Sequence, residues 1–364
     1  MKGEDLFNAL GKIDERYIDA AAPKKVMFYQ KNIFKWAVAA AACVCLVVCG
    51  YSVTSVPTAI NGDLPKIGYT IIFDGMGYEG TDELSMKSSQ DINPWNENVV
   101  LETLPVYKNL CYNEGKLTQI YFNVLDLKKQ AEELANKLNM KYYNTQTGVG
   151  DSEEVTAYSL ETENGTVRAF PKGSSITVKE SDLSLIEKHM QTVCNKNGDN
   201  EPETGIYAEY SIDGELLATE TRSYYKGNNI VEDIISFNMQ SHYLTQNGNY
   251  VTGRSDNHLN GSEKLGDYPV ISPGEAEEKL LRGEYVSSAF ECDVEGGKIT
   301  EDVIAKVDLI YYTVGNQEYY LPYYRFFVAY SAGVNDIQQY AYFYVCAVSN
   351  EYLGEITVFD GSYQ

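Results

Sequence analysis

QQYAYFYVCAV, residues 338–348, sends Tyr340, Tyr342 and Tyr344 to one side of an extended chain and Ala341, Phe343 and Val345 to the other. Neither side is polar. Such a strand belongs inside a sheet, covered by helices on one face and by loops or a partner on the other. Two β-prone runs precede it, VIAKVDLIYYTV (303–314) and EYYLPYYRFFVAYS (318–331), and together the three predict an antiparallel sheet. Tyr340, Tyr342 and Tyr344 are the candidate binding face of that sheet.

Working back from these strands, SPGE at 272–275 is a capping box: Ser272 at the N-cap, Pro273 in the first turn and Glu275 reaching back, with the helix closing at Gly283. Residues 240–267, rich in Asn, Gly and Ser, read as loop. IVEDIISFNM (230–239) reads as a strand, and Asp213-Gly214 as the turn of a hairpin within 206–225. A polar break at 195–205 separates this half from an earlier unit. There, residues 121–140 place Leu127, Ala131, Leu134 and Leu138 on one helical face, and residues 181–194 do the same with Leu183, Ile186, Met190 and Val193. Between these helices Asn164-Gly165 marks a second hairpin and residues 174–178 a strand. Residues 68–74 read as a strand, and Pro94-Trp95 and residues 104–109 as irregular segments packed by their aromatics. Gly75, Gly77 and Gly80 match G-x-G-x-x-G, but no helical pattern follows, so a glycine-rich turn is the better reading.

At the N-terminal end, residues 36–53, WAVAAAACVCLVVCGYSV, carry no charge. Eighteen residues of helix measure ~27 Å, and Ile33, Phe34 and a snorkelling Lys35 extend this toward the ~30 Å of a bilayer core. A transmembrane helix over 33–53 is expected, either as an uncleaved anchor or, with Ala42 before Cys43, as a lipoprotein signal. Lys24, Lys25, Lys31 and Lys35 precede it and place the N-terminus in the cytoplasm, with the remainder outside the cell. Ahead of the span, Leu6, Leu10, Ile13 and Tyr17 align on one face of a helix over 4–21. That face is expected either to dock a soluble partner or to lie on the membrane surface or pair with itself.

The chain has 364 residues and a net charge of -23, spread as +2 over residues 1–35 and -25 over the rest. So acidic a body repels phosphate backbones, which excludes nucleic acid as a partner. Chemistry-bearing motifs are sparse. The histidines, His189, His242 and His258, fit no metal-ligand spacing, and neither a G-x-S-x-G nor an S-x-x-K occurs. Asp256, His258, Asn260, Gly261 and Asp267 match a calcium loop only in part, since the third position lacks an oxygen ligand. Catalytic, cofactor and metal residues are therefore expected to be absent. Cys43, Cys45 and Cys49 lie in the apolar stretch; Cys111, Cys194, Cys292 and Cys346 allow three complete disulfide pairings, with Cys346 the better candidate for a buried thiol.

Two regions carry a resemblance. The start, DLFNALGKIDERYIDAA through the lysines into WAVAAAACVCLVV, resembles single-pass membrane proteins of clostridial-type Gram-positive bacteria, some of which look like anti-sigma factors. The end, ISPGEAEEKLLRG through YAYFYVCAV, resembles extracytoplasmic regulators of the YycH/YycI type and PepSY-like modules. The resemblance implies a sensor kinase, a sigma factor or an envelope ligand as partner. The expected architecture is an α+β chain: a cytoplasmic segment (1–32), a transmembrane helix (33–53), an entry segment (54–112) and two α+β units (113–200 and 201–364) of mainly antiparallel sheet packed with helices. The expected function is that of a membrane-anchored, non-enzymatic binding or regulatory protein. The alternatives are an anti-sigma-like transducer and an exported enzyme whose site is invisible in sequence.

Overall fold

The architecture comes from a computed structural model that describes residues 64–71, 92–112, 124–149, 155–194, 202–210, 216–287, 289, 294–313, 317–330 and 340–358. Both the helix expected over 4–21 and the span expected over 33–53 lie outside these residues, as do Gly75, Gly77 and Gly80. One expectation is corrected outright. The described residues are mostly sheet, with four α-helices, and none of these is long and apolar enough to cross a membrane, so the expected fold led by a transmembrane helix is not what the structure presents.

The three C-terminal runs form an antiparallel sheet of β12 (Ile304–Tyr311), β14 (Pro322–Ala329) and β15 (Tyr340–Cys346), with Phe326 opposite Phe343. Both faces are buried, as the lack of polar alternation requires. Tyr324, Phe326, Val328, Phe343 and Val345 join Trp95 and the apolar sides of two helices, α3 (Ile230–Met239) and α4 (Pro273–Leu281), in the larger core. Tyr323, Phe327, Tyr342 and Tyr344 face a second core with Ile67, Val106 and Tyr268. The central strand is β14, not the 338–348 run. Val286 meets the outer edge of β15 in an isolated bridge, exchanging N–H···O bonds of 2.8 and 2.9 Å with Tyr344.

What covers the tyrosine face is sheet. β2 (Thr103–Asn109) lies between β11 (Ser262–Pro269) and the two-residue β13 (Tyr319–Tyr320). Residues 104–109 are thus a strand, not an irregular segment, because Leu104 and Val106 are both fully buried. Pro105 is tolerated in this middle strand because β13 pairs only with Tyr107 and Lys108 and stops short of it. Beside them, β1 (Ile67–Ile71) runs parallel to β16 (Leu353–Val358).

A second, larger sheet is antiparallel throughout. Its order is β3 (Tyr142–Val149), β4 (Val155–Thr162), β5 (Gly165–Phe170), β6 (Gly173–Lys179), β10 (Tyr250–Asp256), β9 (His242–Asn247), β8 (Leu216–Tyr224) and β7 (Glu203–Tyr210). Helix α1 (Val124–Leu138) packs on β4 and β5 through Leu127, Ala131, Leu134 and Leu138, all buried as their spacing predicts. Helix α2 (Ser184–Cys194) packs on β6 and β10.

Two segments read differently from sequence. Residues 230–239 are helix α3, not a strand: Asn229 caps it by accepting the Glu232 N–H at 3.0 Å, and Glu232 and Asp233 sit in the first turn. Its run of isoleucines has β propensity, but the cap and the burial of Ile234, Ile235, Phe237 and Met239 decide for helix. Residues 240–267 hold three strands rather than a loop. Gly248 (φ 58°) and Gly261 (φ 71°) occupy the turns between them, while Val251 and Ser255 are buried.

Candidate functional site

A cavity of about 520 Å3 opens where α1, α2 and α3 meet the middle of the large sheet. Its floor is built by strand pairing. In the β6–β10 register Ser174 stands opposite Ser255, and β9 brings His242 next to Ser255. The His242 Nδ1 and Ser255 Oγ are 2.7 Å apart, and the His189 Nε2 of α2 is 3.0 Å from the Ser174 Oγ. Gly253 allows this approach of helix to strand, since a Cβ there would lie 3.0 Å from the Ile186 Cγ2 and 3.7 Å from the His189 Nδ1.

Burial holds both histidines neutral. The His189 pKa falls to about 3, by burial first and by the neighbouring His242 second, and that of His242 falls to about 4 by burial. The His189 Nδ1 is buried with no partner among the described residues. This arrangement places two hydroxyls and two imidazoles side by side, and an imidazole whose protonated form has a pKa near 3 gives little driving force for accepting a serine proton at neutral pH.

The cavity walls are predominantly uncharged and hydrogen-bonding, with Gln130, Thr192, Ser236, Gln240, Asn257 and Asn260 contributed by α1, α2, α3 and the turn after β10. Tyr225 adds an aromatic ring, edge-on to His242 at 5.8 Å. The charged members balance: Glu133 and Asp256 against Lys137 and Lys172. Burial raises the Asp256 pKa and is opposed by Arg254, whose Nε lies 2.9 Å from its carboxylate.

Of the residues singled out from sequence, His242, Asp256 and Asn260 line the cavity, and the expected binding faces lie elsewhere. Leu6, Leu10, Ile13 and Tyr17 fall outside the described residues. Tyr342 and Tyr344 are buried and Tyr340 half-buried, so this face is core: Tyr342 stacks edge-on with Phe327 at 4.9 Å and Tyr344 with Tyr312 at 5.7 Å. Of the partial calcium loop, Asp256 pairs with Arg254 and Asp267 with Lys264, each carboxylate engaged by a cation of its own. Neither Cys111 nor Cys346 is part of a disulfide. Sequence reasoning gave no means of joining His189 to His242, because their meeting depends on β6 pairing with β10 across some seventy residues of chain.

No family model matches the chain, and no curated protein matches it. Among solved structures, an uncharacterised protein from Eubacterium rectale is similar over 68% of this chain and 83% of its own length, at 10% identity and a TM-score of 0.31.

Proposed function

We propose that the protein is a non-catalytic binding protein that takes a small, uncharged, polar ligand into the cavity beside Ser174, His242 and Ser255. The observation that carries this reading is the lining. Hydroxyl, amide and neutral imidazole groups dominate it, the charged side chains cancel, and one tyrosine ring stands among them. A cavity of this size with convergent polar groups suits a ligand of one or two rings bearing several hydroxyl or amide groups, such as a saccharide or a nucleoside. The neutrality of His242 in the lining supports recognition by hydrogen bonding rather than by charge.

Thermal-shift measurements against neutral saccharides, nucleosides, zwitterionic amino acids and carboxylates test this directly. At least one uncharged class is expected to raise the melting temperature. Asn260→Trp, at the exposed end of the lining, is expected to abolish the shift while leaving the ligand-free melting temperature in place. Stabilisation by charged ligands alone, or shifts unchanged in Asn260→Trp, would overturn the proposal.

A further inference from the structure

Among the described residues, one ring nitrogen of His189 has a hydrogen-bond partner and the other has none. Its Nε2 lies 3.0 Å from the Ser174 Oγ, while its Nδ1 is buried and unmatched. The residue is 0% exposed, and Nδ1 lies beside Gly253, 3.7 Å from where a Cβ would stand; the Ile186 Cγ2 is 3.0 Å from the same point. With its pKa lowered to about 3 by burial, the imidazole is neutral at pH 7 and carries a single N–H. Placed on Nδ1, that hydrogen would point at a glycine and an isoleucine with nothing to accept it. Placed on Nε2, it meets the serine oxygen and leaves only a bare lone pair at Nδ1. Buried orphaned donors are rarer in folded proteins than buried orphaned acceptors, so this setting selects the Nε2–H form. Ser174 is the partner on the cavity side. It lines the cavity, and its hydroxyl makes no other hydrogen bond among the described residues.

We infer that His189 is a positioning residue for recognition: its Nε2–H donates to the Ser174 Oγ, the Ser174 hydroxyl donates into the cavity, and the ligand presents an acceptor there. That acceptor is a carbonyl, an ether or ring oxygen, a hydroxyl lone pair or an unprotonated ring nitrogen. An N–H alone at that place would leave the Ser174 proton unmatched once the ligand had displaced solvent. The inference rests on the cavity being a ligand site and adds to it the polarity of one contact, fixed by a side chain that does not itself line the cavity.

Long-range proton–nitrogen correlation spectra of the full chain, labelled with 15N-histidine and held near neutral pH, read the tautomer, with the His189 signals identified by their loss in His189→Gln. A protonated, pyrrole-like Nε2 and a bare, pyridine-like Nδ1 are expected. The reverse assignment, or a ring exchanging between the two forms, would overturn the inference. Calorimetric titration with the neutral saccharide or nucleoside giving the largest thermal shift supplies the second readout. Ser174→Ala and His189→Met are each expected to weaken binding about fivefold, the worth of one neutral hydrogen bond. His189→Gln, whose amide N–H can reach the same hydroxyl, is expected to hold the affinity near its native value. Binding untouched in Ser174→Ala, which removes one oxygen from a half-buried side chain, would overturn the inference even with the expected tautomer. Binding of no ligand at all would overturn the cavity reading and this inference with it, whereas a reversed tautomer with binding intact would overturn this inference alone.

Discussion

At the scale of single residues, the chemistry of this molecule is set by what burial does to its few histidines. His189, His242 and His258 all lie well below the ordinary imidazole pKa of about 6.5, at about 3, about 4 and about 3, each chiefly through desolvation. Below pH 6.5 the unfolded chain therefore binds protons that the folded chain refuses. Stability is fully present above that pH and is lost as the pH falls through 6.5 toward 4, by about 1.4 kcal/mol per pH unit for each histidine. Asp256, with its pKa raised by burial, works in the opposite sense. Denaturant titrations at pH 7.5 and 5.5 should show a loss of a few kcal/mol, and His242→Asn should reduce it. Equal stability at both pH values would mean that the imidazoles are solvated. None of this was readable from sequence, where three isolated histidines carry no spacing that tells buried from exposed.

At the scale of elements, local signals were legible where a cap or a periodicity dominated, and illegible where tertiary contacts overrode propensity. The capping box at Ser272 forms with both reciprocal bonds, the Glu275 N–H to the Ser272 Oγ at 3.2 Å and the Ser272 N–H to the Glu275 carboxylate at 2.8 Å. Asn229 performs the same task for α3, where the isoleucines of residues 230–239 had suggested a strand. Replacing either cap by alanine should cost about 1 kcal/mol in denaturant unfolding. If α3 drew nothing from its cap, Asn229→Ala would be silent. The Asn164-Gly165 hairpin exists, but its register is displaced by one residue. Thr162 pairs with Gly165, so Glu163 and Asn164 form the loop, and Gly165 opens β5 at φ 147°. A Cβ at Gly165 would come within 1.9 Å of the Thr177 carbonyl oxygen on β6. Gly165→Ala should therefore destabilise the protein by about 2 kcal/mol or more, and a neutral result would show that β5 and β6 separate freely. The tyrosines of β15 teach a related lesson. Alternation correctly put both faces of the strand indoors, but it could not say that strands β1, β2 and β11, rather than a partner, lie over Tyr342 and Tyr344.

At the scale of the whole molecule, the large sheet and the cavity both depend on pairings between distant segments. β6 meets β10, and strands from both sides of residue 200 join one eight-stranded sheet. A single sequence records the apolar period of each strand but not its neighbour, which is why single strands and helix caps were legible and the site was not. The membrane span expected over residues 33–53 lies outside the described residues, and no described helix is long and apolar enough to cross a membrane. The central claim is that the cavity binds an uncharged polar molecule. Hydrogen exchange, followed by mass spectrometry with and without the neutral saccharide or nucleoside giving the largest thermal shift, tests that claim most directly. Slowed exchange is expected in residues 172–174, 236–242 and 255–260, around the cavity. Protection confined to the sheet edge at β3, or to residues far from these segments, would contradict it.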